Sequence, residues 1–330
     1  MKGRVLVTGG LGFVGKAVVT GALVQGYAVR ASTRQRVASP TSRIEYIHVG
    51  DLGHATDWTS ALEGVSTVVH CAARAHVLHD TEVDPTSAFR NANMHGSLSL
   101  ARQAAAAGVK RFVFLSSIGV NGMQTVPGCA FSEADQPEPH NAYALSKWEA
   151  EQGLMHIAAE TGLEVVIIRP PLVYGCNAPG NFGSLMRAVQ KGWPLPLGAV
   201  HNQRSLVALD NLVDFIITCI THPQAANQTF LVGDGRDLST TELVRGMAQA
   251  AGVSVRLLPV PVWALQAGAS LLGKGDAVQR LCGNLQVDIS KARKLLGWVP
   301  PVSVEDGLQR VVANVNKPPD PNGGATVDHP

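Results

Sequence analysis

The feature that most constrains this chain lies in its first fifteen residues. An apolar run, Val5-Leu6-Val7, leads into Thr8-Gly9-Gly10-Leu11-Gly12-Phe13-Val14-Gly15, so glycines stand at 9, 12 and 15 just before an apolar helical pattern. A strand that turns on glycine straight into a helix points the helix's unpaired N–H groups and the positive end of its dipole at the turn. Positions without side chains then let a phosphate approach the backbone. The motif predicts a site for a dinucleotide cofactor, with Gly9, Gly12, Phe13, Val14 and Gly15 along it.

The first half of the chain keeps the rhythm this start demands. Short β-branched runs at 4–8, 28–33, 44–49, 67–71, 111–115 and 164–169 read as strands, and 12–25, 56–62, 85–107 and 142–160 read as helices. Strands apolar at nearly every position are covered on both faces, which predicts a doubly wound α/β fold around a parallel sheet. After Arg169 the rhythm breaks at Pro170-Pro171, Pro179-Gly180 and Pro194-Leu195-Pro196. A smaller C-terminal substrate domain is expected from 169–204 and 233–316, with 1–168 as the dinucleotide-binding domain and 205–232 adding to it. Helices are expected at 210–221 and 240–251, the second capped by Ser239 or Thr240. Residues 317–330 read as a mobile tail.

Composition narrows the partners. With 27 Lys and Arg against 25 Asp and Glu in 330 residues, the chain has no basic surface of the kind that tracks nucleic acid. Cys71, Cys129, Cys176, Cys219 and Cys282 lie far apart with no C-x-x-C pair, and are read as buried thiols of a reducing compartment. No apolar run approaches the ~18 residues of a membrane span. A cytoplasmic protein without a membrane partner is expected. His76-Val77-Leu78-His79 lacks further ligands, so no metal is expected, although His76 follows the fourth strand and is read as a substrate contact.

At the end of the second strand, Arg30-Ala31-Ser32-Thr33-Arg34 contains no carboxylate for an adenosine ribose. Arg34, with Ser32 or Thr33, suits a 2′-phosphate and favours NADP(H) over NAD(H), the plain alternative being a solvated arginine. Asp51, in Val49-Gly50-Asp51-Leu52, is placed either to meet the adenine edge or to cap a helix. The chemical end is Tyr143-Ala144-Leu145-Ser146-Lys147, a phenol and an ammonium four residues apart on one helix face. A nearby cation stabilises a phenolate, which lets a tyrosine act as acid and base. Ser117 ends the fifth strand at the sheet edge where α/β folds bind ligands, placed to orient a substrate oxygen.

Together these pieces resemble the extended short-chain dehydrogenases/reductases, the group of UDP-glucose 4-epimerases, nucleotide-sugar dehydratases and 4-keto reductases. The likeness runs from about residue 2 to 312 and also includes His70-Cys71-Ala72-Ala73, Ser116-Ser117 and Arg169-Pro170-Pro171-Leu172-Val173-Tyr174-Gly175. It implies a Rossmann-like fold with Tyr143 as acid–base, Lys147 binding the nicotinamide ribose and Ser117 as third catalytic residue. It also implies cofactor contacts from Asp51, Leu52, Ala72, Ala73, Pro170 and Val173, and substrate diphosphate contacts from Asn181, Arg204 and Arg280. Leu172 stands where epimerases often have asparagine, Asn121-Gly122 where they often have Tyr-Gly, and Ile118-Gly119 where dehydratases carry an Asp-Glu pair. Dehydration is therefore discounted.

The expected activity is NADPH-dependent reduction of a UDP-linked 4-keto-6-deoxy-hexosamine. The alternatives are a UDP-sugar 4-epimerase with tightly held NAD, a non-catalytic NADP-binding sensor and a plant-type flavonoid ketone reductase. A homodimer through 85–107 and 142–160 is expected by the same resemblance.

Overall fold

Strands β1 (Arg4–Thr8), β2 (Ala28–Thr33), β3 (Ile44–His48), β4 (Val65–His70), β5 (Arg111–Leu115), β6 (Glu164–Arg169), β7 (Leu172–Tyr174), β8 (Arg204–Ala208), β9 (Gln228–Leu231) and β10 (Asp237–Leu238) form two sheets. The computed structural model describes residues 2–37, 43–75, 84–271, 273 and 275–315. Seven strands pair in the order β3-β2-β1-β4-β5-β6-β9, all parallel. The order reverses direction between β1 and β4, which opens a crevice at the carboxyl ends of those strands.

Strand periodicity explains the apolar runs. Val5 and Val7 join a buried layer with Val29, Phe215, Phe230 and Trp298, whereas Leu6 between them joins the opposite layer with Trp58, Leu100, Phe112 and Leu154. Successive side chains face opposite ways, so a strand covered on both faces has little room for a polar residue.

The chain returns to this sheet late. Helix Leu209–Thr221 packs on helix Phe13–Val24, and β9 adds beside β6. β8 instead pairs with β7 and β10 in a separate three-stranded sheet, backed by a core that includes Tyr174, Phe182, Met186, Met247 and Leu308.

Several elements differ from their sequence reading. The run 85–107 is not one regular helix: Pro85–Phe89 passes through a wide π-helical turn, Arg90–His95, into Gly96–Ala106. Such a turn inserts a residue into the ladder and redirects its neighbours, and here Asn93 is fully buried within it. Ser239 is the cap of helix Thr240–Ala251, completing a capping box with Glu242. Of the five cysteines only Cys219 is buried, and Cys129 is exposed, because it lies in a loop rather than on a sheet or core helix. No helix among the described residues is long and apolar enough to cross a membrane, and these residues hold no cluster of three metal-ligating side chains. The expected tail at 317–330 and His76 lie outside the described residues.

Candidate active site

The glycine turn is shaped by contacts that exclude side chains. Gly9 has φ +65°, and a Cβ there would lie 3.0 Å from the Ala72 backbone. A Cβ on Gly15 would sit 2.1 Å from the Gly9 carbonyl oxygen. Gly12, the N-cap of helix Phe13–Val24, brings no side-chain cap, and the first turn carries no acid. The N–H groups of that turn are left for an anion, so a dinucleotide pyrophosphate fits the cradle. Around it, Ala72 and Ala73 are half-buried and Pro170 is buried beside half-buried Val173, all of them small or compact side chains.

At the end of β2 the three candidate polar residues part company. Ser32 and Thr33 are buried, and the Thr33 hydroxyl donates to Gln35 O at 2.7 Å, whereas Arg34 is exposed. Arg30 turns the other way: it is buried, pairs with the exposed Glu45 and donates to the carbonyls of Ser60, Ala61 and Glu63. Asp51 is exposed and caps no helix; its carbonyl accepts from the Thr56 hydroxyl, and half-buried Leu52 lies against Gly96.

Under the glycine turn runs a polar chain. Ala72 N–H donates to Thr8 Oγ1, Thr8 Oγ1 lies 2.6 Å from His70 Nδ1, His70 Nε2 lies 2.9 Å from Ser97 Oγ, and Ser97 donates to Asn93 O. Counting protons assigns the tautomer. Ser97 spends its only proton on Asn93, so it accepts from His70 Nε2–H, and Nδ1 accepts from Thr8. His70 is fully buried, and burial with the Lys147 charge lowers its pKa to about 3, so the ring stays neutral. Asn93 in turn donates to Ser146 Oγ and Arg74 O. The π-helical turn thus ties the cofactor strand to the helix carrying Tyr143 and Lys147.

That helix, Ala142–Thr161, is capped by Asn141, whose side chain accepts from Ala144 N–H at 2.8 Å. Ser117 faces it across Gly119, where a Cβ would lie 3.4 Å from both Ser117 Oγ and Ala144 Cβ. Ser117 Oγ accepts from Gly119 N–H at 3.1 Å, leaving its own proton to donate to a ligand oxygen. Burial pushes the half-buried Tyr143 phenol up to about 12, so it holds its proton at neutral pH. Lys147 is 1% exposed, donates to Leu115 O at 2.8 Å and lies over the Phe114 ring. Burial lowers its pKa to about 8 against the opposing pull of Cys71 and Glu151. One of its three N–H donors is thus anchored to β5, which fixes the ammonium on the Tyr143 side of the sheet edge without using up its charge.

Sequence reasoning missed what lies behind these residues. Glu151, one turn beyond Lys147, accepts from Ser116 Oγ at 2.5 Å and pairs with Arg169 at 2.5 Å, with side chains 2% and 5% exposed. Arg169 also donates to Asn121 Oδ1, which accounts for an asparagine at that position. The only signal in the sequence was the i, i+4 spacing from Lys147.

The candidate diphosphate contacts sit farther out. Asn181 is the exposed first residue of helix Asn181–Gln190, Arg204 is half-buried and donates to Gly283 O, and Arg280 is exposed. Arg280 is close enough to His140, three residues before Tyr143, to help burial lower that imidazole's pKa. A cavity of about 570 Å³ near Arg204 is walled by Pro127, His201, Asn202, Gln203, Val262 and Cys282.

Comparison with known proteins agrees with this geometry. Residues 5–233 match the model of the NAD dependent epimerase/dehydratase family. A UDP-glucose 4-epimerase of Vibrio cholerae is 47% identical over 312 residues, covering 94% of each chain. An Escherichia coli O157:H7 protein, N-acetyl-alpha-D-glucosaminyl-diphospho-ditrans,octacis-undecaprenol 4-epimerase, is 28% identical over 94% of this chain and 95% of its own. Among solved structures, a UDP-N-acetylglucosamine 4-epimerase from Bacillus cereus superposes with TM-score 0.78 at 21% identity, covering 96% of this chain and all of that one.

Proposed function

The chain belongs to the NAD dependent epimerase/dehydratase family, and from that premise we propose that it interconverts the C4 epimers of a diphosphate-linked hexose or N-acetylhexosamine, a UDP-sugar first. The 47% identity to the Vibrio cholerae UDP-glucose 4-epimerase, end to end, carries this reading. It displaces reduction of a 4-keto sugar as the leading activity. The enzyme is of the short-chain dehydrogenase/reductase class and takes NAD(P).

The turn at Gly9, Gly12 and Gly15 would hold the cofactor pyrophosphate, with Phe13, Val14, Ala72, Ala73, Pro170 and Val173 around it and Lys147 toward the nicotinamide ribose. When bound, the nicotinamide supplies an acceptor for the C4 hydride and then its donor. The chain's own part is the proton at O4. Tyr143 exchanges that proton, and Ser117, already accepting from Gly119, donates its hydrogen to the same oxygen. Lys147, at about 8, carries its charge at neutral pH without being locked in it. Asn181, Arg204 and Arg280 would meet the substrate diphosphate.

NADPH-dependent 4-keto reduction is the second reading, favoured by exposed Arg34 and the missing carboxylate on β2. To decide, enzyme is incubated with UDP-glucose or UDP-N-acetylglucosamine and followed by proton NMR. Appearance of the galacto epimer without added reductant is expected. Failure there, with consumption of NADPH on a UDP-4-keto-6-deoxy-hexosamine, would assign the reductase. A homodimer through helices Gly96–Ala106 and Ala142–Thr161 belongs to the same proposal, and light scattering that returns a monomer mass at micromolar concentration would reject it.

A further inference from the structure

Helix Val262–Leu271 breaks the usual rule for a surface helix. Val262 and Leu265, at i and i+3, pack on the C-terminal core, and Ala269, at i+7 on the same side, is the one residue of the helix that is buried. The opposite face should then carry charge. It holds none: Trp263 is 72% exposed and Leu271 90%, with Ala267 and Ser270 between them, and residues 257–271 contain no charged side chain.

The apolar surface continues toward the N-terminus of the helix. Leu258, Pro259 and Pro261 are exposed, and a parallel bridge between Leu195 and Leu257 sets the segment that holds exposed Trp193 beside the segment that holds exposed Arg256. Lys191 lies over the Trp193 ring at 5.1 Å. Tryptophans beside basic residues, bordering an uncharged apolar helix, are the chemistry of the boundary between lipid headgroups and acyl chains. With ten residues the helix is about 15 Å long, half the ~30 Å needed to span a bilayer, so it can only lie along the surface.

We propose that the face made by Trp263 and Leu271, with Leu258, Trp193, Lys191 and Arg256 beside it, seats the enzyme on an anionic phospholipid bilayer. The basic residues meet headgroup phosphates while the apolar ones enter the acyl boundary. Val262, on the inner side of the same helix, is also one wall of the cavity near Arg204. The inference stands apart from the choice of reaction, because it concerns a surface that Tyr143 and Ser117 do not touch.

The test is co-sedimentation of the full chain with vesicles of phosphatidylglycerol and phosphatidylethanolamine, against vesicles of phosphatidylcholine alone. Binding to the anionic vesicles, weakened by salt, is expected, with a loss of about fivefold for each of Lys191→Gln and Arg256→Gln. Trp263→Glu should abolish binding while its thermal unfolding matches the wild type. Quenching of tryptophan emission by brominated acyl chains should drop in Trp263→Phe, which reports insertion rather than mere charge attraction. No sedimentation with anionic vesicles, or binding unchanged in Trp263→Glu, would overturn the proposal. So would a fall in oligomeric mass in Trp263→Glu, since the face would then belong to a second copy of the chain. Epimerase assays on UDP-sugars run separately, so failure of one reading leaves the other measurable.

Discussion

Replacing Glu151 by glutamine tests how far the active site depends on the buried pair behind it. The change keeps the side chain's shape but puts an amide where a carboxylate accepts from Ser116 and from two nitrogens of Arg169. Donor then faces donor, and the Arg169 charge, 5% exposed, loses its counterion while keeping Asn121 and the face of the Trp148 ring. Breaking such a pair from one side costs about 3–5 kcal/mol. At roughly 2.1 cal/mol/K per residue, a chain of this length unfolds with an entropy near 0.7 kcal/mol/K, so the melting temperature should fall by about 4–7 °C. Differential scanning calorimetry reads that shift. Replacing both partners with methionine should cost less than Glu151→Gln alone, because no buried charge is left unpaired. Glu151 also holds the Lys147 pKa up against burial, so Glu151→Gln should move the corresponding limb of the kcat–pH profile to lower pH. A melting temperature within about 1 °C of wild type would refute the reasoning, since an interior pair cannot be lost at the cost of a surface one.

Tyr143→Phe should lower kcat by about 10²-fold or more with cofactor affinity nearly unchanged, and turnover near wild type would remove Tyr143 from the proton step. Arg34→Ala should weaken NADPH by about 1.5–3 kcal/mol in fluorescence titration and NADH far less, whereas equal losses for the two cofactors would refute selection of a 2′-phosphate by Arg34. His70, near 3 when folded and about 6.5 unfolded, binds a proton more readily in the unfolded chain. Its contribution to stability is therefore lost as pH falls from about 6.5 toward 3. Urea unfolding across that window should show a steeper acid loss for wild type than for His70→Asn, and parallel curves would contradict the neutral tautomer.

The parts of the site that were readable from sequence are those whose geometry is local. Gly9, Gly12 and Gly15 lie within seven residues, and a strand–turn–helix leaves few ways to arrange them. Tyr143 and Lys147 share a face because a helix repeats every 3.6 residues. The double-sided burial of β1 was legible for the same reason, since alternation along a strand is a property of the backbone. Local spacing left out partners from distant segments: Lys147 also donates to Leu115 O, thirty-two residues upstream. The wide turn at Arg90–His95 had no marker in composition, because Asn93 is drawn inward by Arg74 and Ser146.

The sequence by itself determined a parallel α/β sheet, a glycine cradle on its first helix and a phenol–amine face on another, because each follows from backbone periods and from steric room at single positions. Only the tertiary structure decided that Ser117 faces the Tyr143 helix across Gly119, that His70 is a neutral link between Thr8 and Ser97, and that Glu151, Arg169 and Ser116 form one buried unit. It also decided that an apolar helix near the C-terminus keeps its Trp263 face uncovered. Whether a polar group is charged, and whether an apolar one is covered, depends on what surrounds it, and those neighbours come from segments far apart in the chain.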